Sequence, residues 1–533
     1  MNEKEFISIH KKRVVITFSF IMLLFLITVL RLSLLSSIKY SEVINTQNYY
    51  RLKAADIRGT IFDCNNNPIT NNKKKIVAAV TQNQKAVTAI SKILSGEALN
   101  SALERLRRAK PRLIELPKKI EVEGIYCAEI YVTEYDTAIH TIGYVDNEKN
   151  GVTGIEMAYN NILKQSGSCE FVFEKNGKGE MLEGLTPKLE YDNGFLKNGV
   201  VTTLDLNLQE IAEEKAEGIS CGAILVAESN SGKIRAIVSR PYFDINNLGN
   251  SLADESSPFL NRALNTFNIG SVFKPLVASV GIENGYEAFT NNCTGNTKIA
   301  DLTFNCHKRE GHGTLRLNEA IAYSCNTYFY NFALKIGKDE IYKTAKNLGF
   351  GQSIELCRGI SAKAGNLTSI SELSNKAELA NLSIGQGKLL LSPISLLNLY
   401  NSIANGGLYT SPYLVEGILN NGKLTPEKEF LPTRVMKKET AEKLKNSLKA
   451  VLEIGTGSSA KPQYTTAAGK TATAQTGKYY SGSEICSGWF CGFFPFENPK
   501  YTVIVFSENT LKDTKSCAEI FSELADSITL NGY

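Results

Sequence analysis

Hydrophobic and polar positions divide this 533-residue chain into a short polar tail, one long apolar run and a region of alternating short segments. The run from Val14 to Leu30 contains no charged side chain, and three basic residues (11–13) precede it. As a helix it is about 26 Å long, close to the ~30 Å apolar thickness of a bilayer. The pattern predicts a membrane helix at residues 14–35 and, because basic residues favour the inside, a cytoplasmic tail at residues 1–13.

A cleaved signal peptide and a buried core helix are the alternatives for this run. Cleavage needs small residues at the −3 and −1 positions, and no such pair stands between Thr28 and Ser41. The basic flank and the N-terminal position favour a membrane helix over a core helix. We therefore expect an uncleaved anchor.

The pattern beyond the anchor predicts two further domains. Residues 36–200 alternate between short strand-like and helical pieces without a cluster of catalytic residue types, which predicts a non-catalytic mixed α/β domain. In residues 201–533, helices are predicted at Leu208–Glu217 and Asp513–Leu530, and strands at Cys221–Ala227, Ile234–Val238, Tyr464–Ala474, Gly488–Phe494 and Thr502–Phe506. The order of these elements predicts an α+β fold, an antiparallel sheet with helices on its faces.

Composition narrows the partners and cofactors. The net charge of +5 is spread along the chain, so no nucleic acid partner is expected. Eleven cysteines cannot all pair, and Cys293 and Cys306, which flank a short loop, are predicted to form a disulfide. Because no Cys-x-x-Cys pair occurs and the chain contains four histidines, no structural zinc site is expected. Cys325 is expected to be a packed apolar residue.

The stretch Gly270–Pro275 carries the first candidate for catalysis, Ser271 followed by Lys274. Pro275 fits only in the first turn of a helix, so Ser271 must stand at or just before the helix start. Residues i and i+3 share a helix face, so the Lys274 amine can reach the serine hydroxyl and act as its base. The same spacing occurs at Ser8/Lys11, Ser36/Lys39 and Ser458/Lys461. Spacing alone therefore does not single out Ser271.

Two later motifs complete the set. Ser324 and Asn326 precede an aromatic, apolar helix and can point into one cleft, although both residue types also favour helix caps. Lys470, Thr471 and Thr473 follow in a run of small residues that predicts a strand, with the lysine on one face and the threonines on the other. A cation and hydroxyls along the edge of a cleft suit a substrate carboxylate.

The three motifs, in this order and spacing, resemble those of penicillin-binding proteins and serine β-lactamases. Four further segments share the resemblance: Asn261–Leu264, Gly385–Gly387, Ala404–Gly407 and Trp489–Pro495. Three others, Arg58–Asp63, His140–Val145 and Gly154–Glu156, resemble the N-terminal pedestal of class B penicillin-binding proteins. The Glu-Asp pair of the class A glycosyltransferase domain does not occur before residue 200. The resemblance implies a transpeptidase fold at residues 201–533 behind a pedestal at residues 36–200.

The resemblance also implies the activity: a peptidoglycan D,D-transpeptidase of the division or sporulation type that β-lactams acylate. Ser271 would attack the penultimate carbonyl of a D-Ala-D-Ala stem peptide, with Lys274 as base. Ser324 would pass the proton to the leaving D-Ala, and an amine of a neighbouring stem peptide would resolve the acyl-enzyme into a cross-link. No cofactor and no metal is implied.

The remaining motif residues are implied to bind the substrate. Asn326 would orient the catalytic lysine and the substrate amide, while Lys470 and Thr471 would bind the substrate carboxylate. The backbone N–H groups of Ser271 and Thr473 would form the oxyanion hole. Ala472 stands where the family usually has glycine, so its methyl group is expected to narrow the cleft. The Gly- and Ser-rich loop at residues 453–462 is expected to be a lid beside the cleft.

Related activities use the same residues. A D,D-carboxypeptidase or a β-lactamase transfers the acyl group to water, and a β-lactam sensor is acylated without turnover. The large N-terminal region and the anchor argue against a secreted β-lactamase, and sensors of this superfamily usually carry several membrane spans. Expected partners are stem peptides, β-lactams, the cytoplasmic membrane and a membrane-embedded glycan polymerase, with the catalytic domain outside the cytoplasm.

Overall fold

The structure, a computed structural model, describes residues 3–35, 48–107, 110–164, 167–182, 184–427, 430–480 and 482–533. All regular elements named below lie within these ranges. The helices are α1 (Glu3–Leu35), α2 (Gln84–Ser91), α3 (Gly96–Leu106), α4 (Ile139–Ile142), α5 (Gly154–Ala158), α6 (Asn160–Leu163), α7 (Leu206–Ala216), α8 (Leu248–Ala253), α9 (Lys274–Glu283), α10 (Leu317–Ala322), α11 (Asn326–Ile336), α12 (Lys338–Asn347), α13 (Lys376–Ser383), α14 (Pro393–Ala404), α15 (Lys438–Glu453) and α16 (Cys517–Leu530). The strands are β1 (Tyr49–Ile57), β2 (Thr60–Phe62), β3 (Lys73–Val80), β4 (Arg112–Leu116), β5 (Ile125–Val132), β6 (Gly167–Glu174), β7 (Lys188–Tyr191), β8 (Gly199–Thr202), β9 (Gly222–Glu228), β10 (Ile234–Arg240), β11 (Asn291–Cys293), β12 (Asn296–Ile299), β13 (Leu302–Asn305), β14 (Gly313–Leu315), β15 (Ile354–Cys357), β16 (Ile360–Ala362), β17 (Leu408–Tyr409), β18 (Val415–Asn420), β19 (Lys423–Pro426), β20 (Thr433–Arg434), β21 (Ala468–Tyr480), β22 (Ser483–Phe494) and β23 (Tyr501–Ser507).

These elements form two compact units. The smaller unit contains the described residues up to Ile57, together with Lys74–Val132 and Gly167–Asn193, and the larger contains Arg58–Lys73, Thr133–Ser166 and Gly194–Tyr533. The larger unit thus includes two segments that precede residue 200, where the sequence predicts the boundary of the catalytic domain. That boundary stays a prediction, and the one at residue 36 lies outside the described residues.

The smaller unit contains two three-stranded sheets, with strand orders β1-β6-β7 and β4-β3-β5. Helices α2 and α3 contribute Ala86, Ile90 and Leu106 to a core that also contains Ile114 of β4. The apolar positions recur at helical spacing, so one face of each helix is buried. The result is the mixed α/β structure that the sequence predicts for this region.

Helix α1 is the N-terminal apolar helix of the chain. Its span Ile7–Leu34 is long and apolar enough to cross a membrane, and α1 begins well before the predicted Val14. The hydroxyls of Thr17 and Thr28 donate to the carbonyls one turn earlier, Arg13 (2.9 Å) and Leu24 (2.7 Å). These bonds satisfy two hydroxyl groups of the apolar run within the helix itself, which suits the interior of a bilayer.

The larger unit is organised around a five-stranded antiparallel sheet with strand order β10-β9-β23-β22-β21. Both faces are covered, because every residue of β23 is buried. Successive residues of β22 pack on opposite sides: Phe490 contacts Phe521 of α16, whereas Trp489 contacts Phe506 and lies on the other side. Helix α14 is buried along its whole length. The predicted α+β fold, a sheet with helices on its faces, is confirmed.

The strands near the C-terminus differ from their predicted bounds. The predicted strand Tyr464–Ala474 is β21, which begins at Ala468 and continues to Tyr480. The backbone N–H groups of Gln463 and Tyr464 donate to the Asp526 carboxylate of α16 at 2.7–3.0 Å. The Asp526 carboxylate thus accepts the backbone N–H groups that would otherwise bond to a neighbouring strand. The hydrophobic pattern of residues 464–474 does not reveal a contact with a residue so distant in sequence.

Two of the segments that resemble a pedestal meet in a buried ion pair inside the larger unit. The Arg58 guanidinium donates to one oxygen of Glu156 at 2.6 and 3.0 Å, and both side chains are almost fully buried. The other carboxylate oxygen accepts a hydrogen bond from the Tyr135 hydroxyl (3.0 Å). Burial still raises the pKa of Glu156, so the arginine has to hold the carboxylate in its charged form. The pair fastens the segment containing residue 58 to α5.

We expect Glu156→Ala to lower the free energy of unfolding of the larger unit by about 3–5 kcal/mol, because the Arg58 cation would stay buried without its partner. Trp489, the one tryptophan of the chain, is buried in this unit and reports its unfolding by fluorescence during denaturant titration. The control is Lys388→Ala, which breaks an exposed ion pair with Glu372 and should leave the unfolding midpoint almost unchanged. Equal, small effects of both variants would contradict this assignment.

Candidate active site

Ser271 lies in a single 3-10 turn, Gly270–Phe273, that leads directly into α9. The backbone N–H of Lys274 donates to the Ser271 carbonyl, and side chains three residues apart in such a turn lie above one another. Pro275 stands in the first turn of α9, where a backbone N–H would have no partner within the helix, so the missing N–H of proline removes no hydrogen bond. The structure therefore places the first motif as the sequence predicts.

Two buried contacts hold this turn in position. The Tyr400 hydroxyl donates to the Val272 carbonyl at 3.1 Å, and the Gly270 N–H donates to the Gly385 carbonyl at 2.9 Å. Gly385 has a φ of +72°, and a Cβ atom there would lie 2.0 Å from the Gly270 carbonyl oxygen. Only glycine fits at this position. The Gly385–Gly387 segment thus supports the nucleophile turn from behind.

The Lys274 amine joins the first motif to the second. It is fully buried and donates hydrogen bonds to the Ser324 carbonyl (2.6 Å), the Ser324 hydroxyl (3.2 Å) and Asn326 Oδ1 (2.8 Å). Its side chain also lies over the ring of Phe329. Residues about fifty positions apart in sequence are thereby tied together by one nitrogen atom.

The surroundings of this amine accommodate both of its protonation states. Burial lowers the pKa of the Lys274 ammonium to about 7. Two of its neighbours, a carbonyl and an amide oxygen, can only accept hydrogen bonds, whereas the Ser324 hydroxyl can either accept one from the amine or donate one to it. A group that takes up and returns a proton needs such a site.

Ser324 stands between α10 and α11 with a φ of 55°, a left-handed backbone that is uncommon for residues other than glycine. Asn326 is the first residue of α11, and the N-cap position is occupied by Cys325, whose side chain makes no capping bond. Helix capping therefore does not explain the pair, because both side-chain oxygens accept from Lys274 instead. Unusual backbone of this kind is concentrated at functional sites.

The third motif lies on β21, the edge strand of the sheet. Lys470 and Ala472 are buried, whereas Thr471 is half-buried and Thr473 exposed, so the strand alternates as predicted. The Lys470 amine donates to the Thr471 carbonyl (3.0 Å). Burial, and to a smaller extent repulsion from Lys274, holds the pKa of Lys470 well below its ordinary value. Its role as a substrate-binding residue stays a prediction, since it lies behind the strand surface.

The methyl group of Ala472 points toward the nucleophile turn. A Cβ atom built on Gly270 would lie 3.5 Å from that methyl carbon and 3.3 Å from the Cβ of Ala474. The space beside the turn is thus already occupied by the two alanines. Ala472 also lines the cavity, and its narrowing of the cleft stays a prediction.

The three motifs open onto one cavity of about 600 Å³. Six of its lining residues come from the motifs: Ser271, Ser324, Asn326, Thr471, Ala472 and Thr473. Sequence reasoning missed His307, and it identified Thr456 only as part of the predicted lid loop. The Thr456 hydroxyl lies 2.9 Å from that of Thr471, and its backbone N–H donates to the Ala322 carbonyl, so this part of the loop lies against α10.

The predicted hydrogen bond between the nucleophile Ser271 and its base Lys274 is not formed in this structure. Among the described residues no hydrogen bond joins Lys274 Nζ to the Ser271 hydroxyl, because Ser324 and Asn326 take the donors of the amine. Catalytic hydrogen bonds often shorten only when substrate binds. Of the other Ser-x-x-Lys pairs, Ser8/Lys11 lies in α1, Ser458/Lys461 borders a separate 3-10 turn, and Ser36/Lys39 lies outside the described residues.

The predicted disulfide between Cys293 and Cys306 is wrong, because both residues are free thiols. Their sulfur atoms share a cluster with His312 and Cys325 instead. Cys325, the middle residue of the second motif, is fully buried, as predicted, but its sulfur lies among polar atoms. Loop spacing indicated proximity correctly but could not identify the other two members.

Comparison with known proteins agrees with this geometry. Residues 222–526 match the family model described as the penicillin-binding protein transpeptidase domain. Stage V sporulation protein D of Bacillus subtilis is 26% identical over 469 residues, which cover 83% of this chain and 70% of that protein. The peptidoglycan D,D-transpeptidase MrdA of Acinetobacter baumannii is 28% identical over 437 residues, covering 71% and 63% of the two chains.

Solved structures share the fold. Penicillin-binding protein 3 of Mycobacterium tuberculosis, crystallised with aztreonam, has a TM-score of 0.65 at 21% identity, covering 90% of this chain and 97% of that chain. PBP2 in the complex with MreC from Helicobacter pylori has a TM-score of 0.64 at 23% identity, covering 91% and 100%. Because the matched family domain spans more than half of the sequence and contains all three motifs that meet at the cavity, this chain belongs to the penicillin-binding protein transpeptidase family, within its class B.

Proposed function

We propose that this protein is a membrane-anchored peptidoglycan D,D-transpeptidase that uses Ser271 as its nucleophile. The observation that carries the proposal is the Lys274 amine, which is buried beneath the cavity and hydrogen-bonded to both Ser324 and Asn326. The similarity to MrdA, named a peptidoglycan D,D-transpeptidase, supports the same activity.

The first half of the reaction forms an ester. The Ser271 Oγ attacks the carbonyl between the two D-Ala residues of a stem peptide, and its proton passes to the Lys274 amine. The negative oxygen that develops is stabilised by the backbone N–H groups of Ser271 and Thr473. The peptide C–N bond then breaks, and the proton moves from the lysine through the Ser324 hydroxyl to the departing D-Ala.

The second half transfers the acyl group to an amine. The amino group of a neighbouring stem peptide attacks the ester carbonyl and loses a proton to Lys274. The C–O bond to Ser271 breaks, the serine regains the proton, and a new peptide bond joins the two stems. A β-lactam enters the first half in the same way, but its leaving nitrogen stays attached to the acyl group through the opened ring.

Four further residues are proposed to bind the donor. Thr471 and Thr473 line the cavity, and their hydroxyls would donate to the terminal carboxylate of the donor. The Lys470 amine, one residue away and buried, would attract that carboxylate in its protonated form, which the negative charge of the donor favours. Asn326 would hold the substrate amide with its NH₂ group while its oxygen holds the lysine.

The anchor defines the proposed location. Helix α1 would cross the cytoplasmic membrane once, with the N-terminus inside because of the basic residues 11–13, and with the catalytic unit outside. A membrane-embedded glycan polymerase is a proposed partner, since α1 would bring the two proteins into the same bilayer.

Incubation of the full-length protein with lipid-linked, polymerised peptidoglycan should yield cross-linked stem peptides and free D-Ala. Mass spectrometry of the digested product separates this result from trimming by water, which yields shortened, unlinked stems and would favour a D,D-carboxypeptidase. Ser271→Ala should abolish both the cross-links and the covalent β-lactam adduct, while Ser458→Ala should retain both. An adduct that persists in Ser271→Ala would contradict the assignment of the nucleophile.

The two lysines should differ in what they do to acylation. Lys274→Ala should slow it by about 10²–10⁴-fold with every substrate, because the serine hydroxyl loses its base. Lys470→Ala should slow it more for a β-lactam with a carboxylate than for a neutral thioester, because it acts on substrate charge. Second-order acylation rates of both variants with both substrates test this. Equal losses for Lys470→Ala on the two substrates would remove its proposed role.

Protease added to intact cells stripped of any outer barrier should digest the chain beyond α1. Immunoblotting against tags at each terminus provides the measurement, with the N-terminal tag protected and the C-terminal tag lost. A protected C-terminal unit would reverse the orientation. Release of a shortened, soluble protein without protease would indicate a cleaved signal peptide instead.

A further inference from the structure

Four side chains of types that can bind a metal meet behind the second motif: Cys293, Cys306, His312 and Cys325. Their ligand atoms, three sulfurs and one ring nitrogen, all lie within 4.8 Å of one another. The three cysteines are buried and the histidine is half-buried. The residues come from three separate stretches of the chain, so the fold, rather than a local sequence motif, assembles the cluster.

The distances correspond to the edges of a tetrahedron around a zinc ion. With Zn–S bonds of about 2.3 Å and Zn–N bonds of about 2.05 Å, ideal tetrahedral angles place sulfur and nitrogen about 3.6 Å apart and two sulfurs about 3.8 Å apart. The Nδ1 atom of His312 lies 3.5 Å from Cys293 Sγ and 3.6 Å from Cys306 Sγ. The sulfurs of Cys306 and Cys325 are 4.0 Å apart, about twice the length of a disulfide bond.

Backbone contacts hold the ligands in place independently of the side chains. Cys293 ends β11, and its carbonyl accepts a hydrogen bond from the N–H of His312 at 3.0 Å. Gly311 has a φ of +84°, and a Cβ atom there would lie 2.1 Å from that same carbonyl, so glycine is required for the approach. Cys306 follows β13, and its N–H donates to the Gly295 carbonyl at 2.8 Å.

A second layer of contacts surrounds the ligands. The His312 ring stacks on Tyr323 with an interplanar angle of 16°, which fixes the ring orientation that presents Nδ1 to the sulfurs. The Cys325 sulfur lies 3.3 Å from the Thr327 hydroxyl, a donor that can stabilise a thiolate. Supporting contacts of this kind orient the ligands of known metal sites.

We propose that Cys293, Cys306, His312 and Cys325 bind one zinc ion in a closed tetrahedral site, and that this ion fixes the position of Ser324 and Asn326. Three thiolates and one neutral imidazole form a Cys3His ligand set, which is typical of structural zinc and leaves no position for substrate. On binding, the three thiols release their protons to solvent and each sulfur bonds to the metal. This proposal departs from the sequence-based expectation that no structural zinc site exists.

The consequence for catalysis follows from the position of Cys325. This residue lies between Ser324 and Asn326, whose side chains hold the buried lysine amine. A metal bonded to its sulfur would connect this part of the second motif to β11, which carries Cys293, and to the loop between β13 and β14, which carries Cys306 and His312. The four ligands are positioning residues rather than catalytic ones, and this second half of the proposal rests on the proposed function.

The metal content of the full-length protein tests the first half. Protein purified in detergent, without chelator or added metal, should contain one zinc per chain by inductively coupled plasma mass spectrometry. His312→Ala should lose most of the zinc, whereas His312→Cys, which supplies a fourth thiolate, should retain it. Cys221→Ser, which changes a cysteine outside the cluster, should keep a full complement.

Cobalt provides a readout that is independent of activity. After chelation, the protein should bind one Co²⁺ with the thiolate charge-transfer absorption and strong visible bands of a tetrahedral site, and zinc should displace it. Folded wild-type protein that contains no stoichiometric zinc and fails to bind cobalt would overturn the site. A disulfide between Cys306 and Cys325 in the native protein, or a stoichiometric metal other than zinc, would overturn it as well.

Acylation by a β-lactam tests the second half. Removal of zinc should slow acylation of Ser271 by about 10- to 100-fold, and added zinc should restore it, because a small displacement of catalytic groups costs a rate of this order. His312→Cys should acylate nearly as fast as wild type, and His312→Ala should not. If the zinc-free protein stays folded and acylates at the full rate, the metal is present but does not position the motif. If neither form is acylated, the proposed function fails while the metal result stands.

Discussion

One buried amine determines how the catalytic unit is arranged. Lys274 is fully enclosed, and its nitrogen has three neighbouring acceptor atoms, two from Ser324 between α10 and α11 and one from Asn326 at the start of α11. A cation in this position would be prohibitively costly without them, and a neutral amine would leave its own N–H groups unsatisfied. The Ser324 backbone adopts its left-handed conformation where it supplies two of these acceptors. The remaining elements of the site, α9 and β21, are positioned around this contact.

The larger unit was predictable from sequence wherever one local pattern decides the structure. The hairpin of β9 and β10, strand β23 and the helical turn after Ser271 follow from alternation, Pro275 and a helical apolar stretch. The start of β21 was predicted four residues too early, because Asp526 takes the backbone donors before Ala468. Such competition depends on a residue sixty positions away.

The residues of the candidate site also fall into those that the sequence predicted and those that only the structure revealed. The order of the three motifs identified the residues that meet at the cavity, since each motif carries its chemistry within a few positions. The cysteine cluster was not predictable in this way. Cys293 and Cys306 lie beside His312 and Cys325 only in the folded chain, and no local pattern indicates that contact. Similarly, Arg58 and Glu156 were noted separately for their resemblance, and only the structure shows that they form one buried pair.

The position of β21 at the edge of its sheet leaves one side of this strand without a neighbouring strand. An edge strand exposes unpaired N–H and C=O groups, which is what an extended peptide needs in order to bind as an additional strand. Proteins normally shield such edges with outward-facing lysine or proline, but between Lys470 and Ala474 the one charged side chain is turned inward. An edge that can accept an extended donor can, through the same hydrogen-bonding groups, accept a strand of another copy of the chain.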